Sequence, residues 1–222
     1  METRNAVILG ATGLVGGHCL QLLLQDARYQ QILTLGRRAA SIQHPKLVQH
    51  EVNLAQPENY AHWLGPQTDF FCCLGTTIAV AGSEEAFRQV DYTYPLTVAR
   101  AGAQHADNHW LMVSSLGADA KSALFYSRVK GEVERDIARL PFAGVHILQP
   151  SLLLGERAEF RLGEKIAEIA ALPLSLLLVG PLRKYRPIEA AIVARAMQSI
   201  AHKSRAGVEI VASDKLAELG KD

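Results

Sequence analysis

The chain has 222 residues, of which 49% are apolar and 20% are charged, and its formal net charge at pH 7 is +1. This composition is that of a globular protein with one sizeable core, and it excludes a disordered chain and a nucleic-acid-coating protein. The three cysteines, Cys19, Cys72 and Cys73, cannot all pair, so we expect reduced thiols.

The first predicted unit is a strand, a glycine-rich turn and a helix. Residues 6–9 predict a strand buried on both faces, three glycines follow at intervals of three, and a helix is predicted over 14–25. In dinucleotide sites such glycines permit a sharp turn, a close approach to the pyrophosphate and tight packing of the helix, whose N-terminus binds the phosphates. Three glycines near a strand end also arise by chance, but a second strand over 31–35 completes a βαβ unit. We predict that the cofactor-binding residues here are Gly10, Thr12, Gly13, Leu14, Val15 and Gly16.

The second predicted strand ends in Gly36-Arg37-Arg38. An NAD site usually has an acidic residue at this place, which accepts hydrogen bonds from the ribose, whereas an NADP site needs positive charge for the 2′-phosphate. Arginine offers a planar set of donors that suits phosphate. We therefore predict that Arg37 and Arg38 bind the phosphate of NADP(H); the alternative is a solvated basic turn.

Two further strands are predicted over 47–52 and 68–74, with a helix or loop over 56–66 between them. The first leads into Asn53 and Leu54, where such folds usually contact the adenine. The second is apolar and central, and its carboxyl end should face the cofactor, so Leu74, Gly75 and Thr76 are predicted to contact it. We predict no metal site at the adjacent cysteines, because neighbouring residues of a strand point to opposite faces and no partners lie at metal spacing.

The second half of the chain continues the alternation of helices and strands. Ser83 is a predicted N-cap that opens a helical region to about residue 105, with a bend at Pro95. A strand over 110–113 ends in a serine pair, a helix is predicted over 124–140, and a strand over 144–148 is closed by Gln149-Pro150-Ser151. Helices over 159–171 and 189–202 and a strand over 208–211 complete the prediction.

Tyr126 and Lys130 are four residues apart on a predicted helix, so both side chains project from one face and can act on one ligand. A neighbouring ammonium favours the phenolate form of a tyrosine, and the lysine can hold the nicotinamide ribose. Ser115, at the end of the preceding strand, can bind a substrate carbonyl. A tyrosine and a lysine at this spacing occur more often on surface helices than in catalytic sites. Here, however, the helix follows the strand that ends in the serine pair, which favours a catalytic set of Ser115, Tyr126 and Lys130.

These features resemble the short-chain dehydrogenase/reductases, and specifically the atypical members with a G-x-x-G-x-x-G opening, most of all the Tat-interacting-protein group. The resemblance covers roughly the first 150 residues. It is carried by the segments 10–16, 35–38, 71–77, 114–119 and 126–134, among which Phe-Cys-Cys-Leu-Gly-Thr-Thr is the most specific.

The resemblance implies an α/β, Rossmann-like doubly wound parallel sheet with bound NADP(H), and a cofactor contact at Pro150. It also implies that Ser115, Tyr126 and Lys130 carry the proton chemistry. The chain departs from the pattern at two places: Asp91 stands where many members have an asparagine that supports a proton relay, and Gln149-Pro150-Ser151 replaces Arg-Pro-Gly.

We expect one NAD(P)-binding domain over 1–222, with a short C-terminal appendage over 151–187 on the substrate side. Apolar residues over 152–154 and 172–179 would line the pocket, while a basic turn of Arg183, Lys184 and Arg186 around Tyr185 would meet the polar end of the substrate. The alternative is that the leucines belong to the core and the turn is solvated.

Two functions fit these residues. The first is an NADP(H)-dependent oxidoreductase acting on a small, moderately apolar carbonyl or hydroxyl compound with a polar end. The alternative is an NADPH-binding regulatory protein that acts through a protein partner with little turnover. We expect no nucleic-acid or membrane partner and a monomer or homodimer. The lack of a secretory signal pattern leads us to expect a cytoplasmic location.

Overall fold

A parallel β-sheet forms the centre of the computed structural model, which describes residues 3–155, 178–203 and 206–221. Within these residues the sheet has seven strands in the order β3-β2-β1-β4-β5-β6-β9. Their bounds are β1 Arg4–Leu9, β2 Tyr29–Gly36, β3 Leu47–Glu51, β4 Thr68–Cys72, β5 His109–Val113, β6 Gly144–Gln149 and β9 Gly207–Ala212. All neighbouring strands run parallel. A separate parallel pair joins β7 (Leu153–Leu154) to β8 (Ile188–Glu189).

Helices cover both faces of the sheet. The described helices are α1 Leu14–Gln25, α2 Ile78–Ala81, α3 Glu84–Arg88, α4 Tyr94–Gly102, α5 Phe125–Ile137, α6 Ala190–Lys203 and α7 Ser213–Leu219. A π-helical turn, Gln89–Thr93, joins α3 to α4, and short 3₁₀ turns span Pro57–Asn59, Ala61–Trp63 and Gly180–Tyr185. Residues of α1, α6 and α7 pack into one core, and residues of α4 and α5 pack into the other.

The apolar runs of the strands explain this arrangement. In β4, Phe70 and Cys72 point into one core while Phe71 points into the other, and all three are almost fully buried. A strand covered on both faces needs apolar side chains at consecutive positions, which is the pattern typical of parallel sheets. The predicted Rossmann-like α/β fold is therefore confirmed.

The strand order places the candidate site at one edge of the sheet. From β1 the chain adds β2 and β3 on one side, and from β4 it adds β5 and β6 on the other side. The loops after β1 and β4 therefore lead in opposite directions and leave a crevice at the carboxyl ends of these two strands. The loops after β2, β3, β5 and β6 also lie at this carboxyl edge, because all the strands are parallel.

The structure corrects several predicted boundaries. The helix predicted over 124–140 ends at Ile137, and the helical region after Ser83 is interrupted by the π-helical turn. The β7–β8 pair and α7 were not predicted, because elements of two and seven residues show little periodicity. The helix predicted over 159–171 and the apolar residues over 172–177 lie outside the described residues.

Candidate dinucleotide and catalytic site

In the turn after β1, the backbone leaves no room for a side chain at Gly10 or Gly16. Gly10 has a φ of +78°, and a Cβ added there would lie 2.7 Å from the carbonyl oxygen of Cys73. A Cβ at Gly16 would lie 2.0 Å from the carbonyl oxygen of Gly10, so α1 packs directly on the turn. Gly13 caps α1 without a side-chain hydrogen bond, and no acidic residue lies in the first turn of the helix. The backbone therefore forms a cradle that fits a pyrophosphate at the helix N-terminus.

The other residues predicted in this turn have different environments. Thr12 is exposed, and Leu14 packs against Gly155, where an added Cβ would lie 2.8 Å from Leu14 Cδ1. Val15 is 5% exposed and belongs to the core. A contact of Val15 with a cofactor would therefore involve its backbone rather than its side chain.

The two arginines after β2 are exposed, and in the described part of the chain neither guanidinium forms an ion pair. The loop that carries them is fixed to β3: Gln49 Oε1 accepts from the Ala40 N–H at 2.8 Å, and Glu51 Oε1 accepts from the Ala39 N–H at 3.2 Å. Arg37 borders a groove of about 400 Å³, lined also by Glu51, Val52, Asn53, Leu54 and Tyr94. In folds of this kind, the adenosine end of a dinucleotide binds beyond the carboxyl ends of these strands, where this groove lies.

Asn53 and Leu54 were predicted to contact the adenine, and both border this groove. Asn53 Oδ1 accepts from the Ala55 N–H at 3.1 Å, and the Leu54 carbonyl accepts from the Tyr60 hydroxyl at 2.9 Å. Leu54 is 3% exposed, so most of its side chain lies in the core. The sequence did not indicate Tyr94, which borders the groove from the start of α4.

The loop after β4 meets a buried ion pair. Asp91, in the π-helical turn, lies 2.6 Å from Lys130 Nζ through Oδ1 and accepts from the Thr76 N–H at 2.9 Å through Oδ2. A Cβ added at Gly75 would lie 3.6 Å from Asp91 Oδ1 and 3.7 Å from Lys130 Nζ. The predicted residues Gly75, Thr76 and Lys130 therefore surround one carboxylate, while Leu74 packs partly buried against the adjoining core.

The charge of Lys130 is maintained against its burial. Burial by itself lowers the pKa of the Lys130 ammonium, but the charge of the Asp91 carboxylate and its contact with Nζ outweigh burial and raise this pKa overall. Tyr126 is half-buried, and its ring centroid lies 5.4 Å from that of Phe87. The structure thus places Tyr126 and Lys130 on the same side of α5, as the i, i+4 spacing predicts.

The serine loop after β5 is held against α5. The Asp119 N–H donates to the Ser127 carbonyl at 3.0 Å, and a Cβ added at Gly131 would lie 2.1 Å from the Ala120 nitrogen. The Ser115 hydroxyl is buried, and the structure gives it no hydrogen-bond partner within the described residues. A buried hydroxyl without a partner can donate to a ligand such as a carbonyl oxygen.

A buried carboxyl group that the sequence reasoning missed lies one turn beyond Lys130. Glu134 accepts hydrogen bonds from the Ser114 hydroxyl and, at 3.1 and 3.0 Å, from Gln149 Nε2. Burial raises the pKa of Glu134 against the opposing effect of these donors and of Lys130. Gln149 therefore anchors the end of β6, and the buried Pro150 accepts from the Leu116 N–H at 2.8 Å. The i+8 spacing from Tyr126 was the signal that could have identified Glu134.

The basic turn of the appendage makes contacts within the appendage. Arg186 Nε donates to the Leu178 carbonyl at 2.7 Å, and Lys184 Nζ lies 5.3 Å from the ring centroid of Tyr185. The Ser151 hydroxyl donates to the Arg186 carbonyl. In the described part of the chain, no hydrogen bond or ion pair joins these cations to the predicted triad, so their contacts do not support a role in substrate binding.

The described residues lack two further features. They contain no group of three or more histidine, cysteine, aspartate or glutamate side chains that could hold a metal ion. None of the helices that they form combines the length and the apolar character that crossing a bilayer requires.

Comparison with known proteins identifies relatives over the whole chain. The mitochondrial protein FMP52 of Candida albicans is 33% identical over 98% of this chain and 95% of its own length. The protein HTATIP2 of Rattus norvegicus is 29% identical over 100% of this chain and 91% of its own length. No protein-family model matches the chain.

Solved structures share the fold at low sequence identity. The Bordetella bronchiseptica enzyme WbmF in complex with NAD⁺ has a TM-score of 0.68 at 13% identity, over 99% of this chain and 77% of WbmF. A UDP-N-acetylglucosamine 4-epimerase from Methanobrevibacter ruminantium, in complex with UDP-N-acetylmuramic acid, has a TM-score of 0.68 at 14% identity, over 96% and 77% of the two chains.

The comparisons correct one prediction. The expected cytoplasmic location is wrong, because several relatives, including the FMP52 proteins of Scheffersomyces stipitis and Candida albicans, are named as mitochondrial. The prediction depended on the lack of a secretory signal pattern, and that pattern carries no information about mitochondrial import.

Proposed function

We propose a function from the premise that this chain belongs to the family of the FMP52 and HTATIP2 proteins, atypical short-chain dehydrogenase/reductases. The proposed function is that of an NADP(H)-dependent oxidoreductase acting on a carbonyl or hydroxyl compound. The observation that carries the proposal is the packing of the loop after β5 on α5, the helix of Tyr126 and Lys130. The Ser115 hydroxyl belongs to this loop, is buried and has no hydrogen-bond partner among the described residues.

Distinct parts of the carboxyl edge would hold the cofactor. The backbone from Gly10 to Gly16 and the N-terminus of α1 would bind the pyrophosphate, and the groove beside Asn53 would take the adenosine. Arg37 and Arg38 would pair with the 2′-phosphate, because they are exposed and their loop is fixed to β3. When bound, NADP(H) supplies or accepts a hydride.

The protein's own residues would carry the proton chemistry. The Ser115 hydroxyl donates to the substrate oxygen and orients it, which also stabilises negative charge that develops there. In the direction of reduction, the Tyr126 hydroxyl gives its proton to that oxygen as general acid. Lys130 lies one turn further along α5, and its positive charge would stabilise the phenolate that remains.

The Tyr126→Phe substitution tests this assignment, because it removes the transferable proton and keeps most of the ring packing. NADPH oxidation would be measured with a panel of aldehydes and ketones of increasing apolar chain length. We expect the rate to fall by at least about 10²-fold, as for the loss of general acid catalysis, while NADPH affinity stays nearly unchanged.

Tyr92→Phe is the matched control, since the Tyr92 hydroxyl donates to Asp136 at 2.8 Å and plays no part in the proposed chemistry. It should leave the rate close to that of the unmodified protein. Normal turnover by Tyr126→Phe would disprove the catalytic role. Tight NADPH binding without turnover of any compound would instead support the regulatory function.

A further inference from the structure

We infer that Asp91 is a positioning residue, which keeps Lys130 protonated inside the protein and fixes the loop after β4 beside it. The inference rests on the proposed NADP(H) site, where Lys130 would hold the nicotinamide ribose. It assigns to Asp91 a direct contact with the lysine.

The local helix geometry brings Asp91 to this place. In the π-helical turn Gln89–Thr93, the Tyr94 N–H donates to the Gln89 carbonyl five residues earlier. Such wide turns interrupt α-helices at few places and often occur at functional sites. Asp91 is the buried residue of the turn and is only 1% exposed. The turn therefore directs a carboxylate into the protein between β4 and α5.

Each oxygen of Asp91 contacts a different element. Oδ1 lies 2.6 Å from Lys130 Nζ on α5, and Oδ2 accepts from the Thr76 N–H at 2.9 Å in the loop after β4. The side chains of Lys130 and Asp91 are 6% and 0% exposed, so water cannot substitute for either partner. One carboxylate thus links the lysine to the loop that is predicted to contact the cofactor.

Among the residues that the structure describes, four titratable groups face Lys130 from the elements packed around it. Asp91 comes from the π-helical turn, Cys72 from β4, and Tyr126 and Glu134 from α5. Burial raises the pKa of the Cys72 thiol to about 12, so this group is uncharged at neutral pH. Burial also favours the neutral form of Glu134. Asp91 is therefore the carboxylate that compensates the buried ammonium.

The consequence is a dependence of cofactor binding on Asp91. A buried lysine without a compensating carboxylate gives up its proton at a much lower pH than an exposed lysine does. An uncharged Lys130 would lose donors and positive charge at the site of the ribose. With Asp91 in place, the ammonium should persist across the neutral and mildly alkaline range.

Asp91→Asn tests the inference because it keeps the shape and one amide oxygen as an acceptor for Thr76 but removes the charge. NADPH binding would be titrated by fluorescence from about pH 6 to about pH 9, below the ordinary lysine pKa. We expect the unmodified protein to bind NADPH with nearly constant affinity over this range. The Asp91→Asn variant should bind progressively more weakly as the pH rises, by at least about tenfold in total, as Lys130 loses its proton.

Asp69→Asn is the matched control, because Asp69 is also a buried carboxylate paired with a cation, Arg4 Nε at 2.8 Å, but lies at the amino end of the sheet. It should lower the melting temperature without changing the pH dependence of binding. A parallel pH dependence in the Asp91→Asn variant and the unmodified protein would overturn the inference. If the unmodified protein binds no NADPH, the proposed function fails instead.

Discussion

At the scale of single residues, the described part of the candidate site contains two buried carboxyl groups, one paired with a cation and one bonded to neutral donors. Asp91 pairs with Lys130, whereas Glu134 accepts from the neutral donors Ser114 and Gln149. Burial favours the neutral form of a carboxyl group unless a cation compensates it. Glu134 therefore resists ionisation, and this property gives the protein a measurable pH dependence.

We predict that the free energy of unfolding of the Glu134→Gln variant, relative to that of the unmodified protein, increases as the pH rises. The pKa of Glu134 is higher in the folded state than in the unfolded state. The stabilisation of the folded protein by protonated Glu134 is therefore fully present below the unfolded-state pKa and is lost as the pH rises through the folded-state pKa. Relative to the unmodified protein, the variant should be more stable at about pH 8 than at about pH 5, because Glu134 ionises at a cost within this range. Urea unfolding at the two pH values measures the difference.

The control is Glu132→Gln on the same helix, which removes a pair with Arg88 at the surface. Its effect should be small, below about 1 kcal/mol, and similar at both pH values. If the stability of Glu134→Gln relative to the unmodified protein does not change with pH, Glu134 is not held neutral by burial.

The residues of the site divide into those that the sequence could indicate and those that it could not. Tyr126 and Lys130 were predictable because helical spacing alone places them on one face. Helical spacing also places Glu134 near that face, but its partners Ser114 and Gln149 and the ion pair of Asp91 were not predictable, because they depend on contacts between α5, the ends of two strands and a π-helical turn. That turn breaks the helical period on which the prediction depends.

At the scale of elements, α1 is positioned by its glycines. Gly16 touches the turn after β1, whereas the adjacent Gly17 has an open environment, in which an added Cβ would meet its nearest atom, the Ala11 carbonyl oxygen, at 3.8 Å. The two glycines lie in the same helix and differ mainly in this approach. Alanine substitutions at the two positions therefore distinguish the effect of helix propensity from the effect of packing against the turn after β1.

Gly16→Ala should displace α1 from the turn, because its Cβ would lie 2.0 Å from the Gly10 carbonyl oxygen. We expect a loss of several kcal/mol in the free energy of unfolding, of the order of severe overpacking, and no detectable NADPH binding. Gly17→Ala should instead keep binding and stabilise the protein by up to about 1 kcal/mol. Thermal unfolding with and without NADPH compares them, and equal behaviour of the two variants would contradict the packing argument.

At the scale of the whole molecule, the fold class was predictable because the strands of the sheet contain continuous apolar runs. Phe70 to Cys72, buried on both faces, show the pattern that identifies a central parallel strand. The appendage was less predictable. Its strand β7 and the strand β8 that pairs with it just after the appendage have two residues each. Hydrogen bonds of Ser151 with Arg186 and Ser213 hold the appendage, and no periodicity reveals them.

The whole carboxyl edge is proposed to act as one NADP(H) site, from the glycine turn to the groove beside Arg37. Fluorescence titration with NADPH and with NADH tests this proposal most directly. NADPH should bind at least about tenfold more tightly, and its preference should weaken as salt rises and largely disappear in an Arg37→Asp, Arg38→Ala double variant. Failure of both dinucleotides to bind, or equal affinities that the double variant leaves unchanged, would contradict the account.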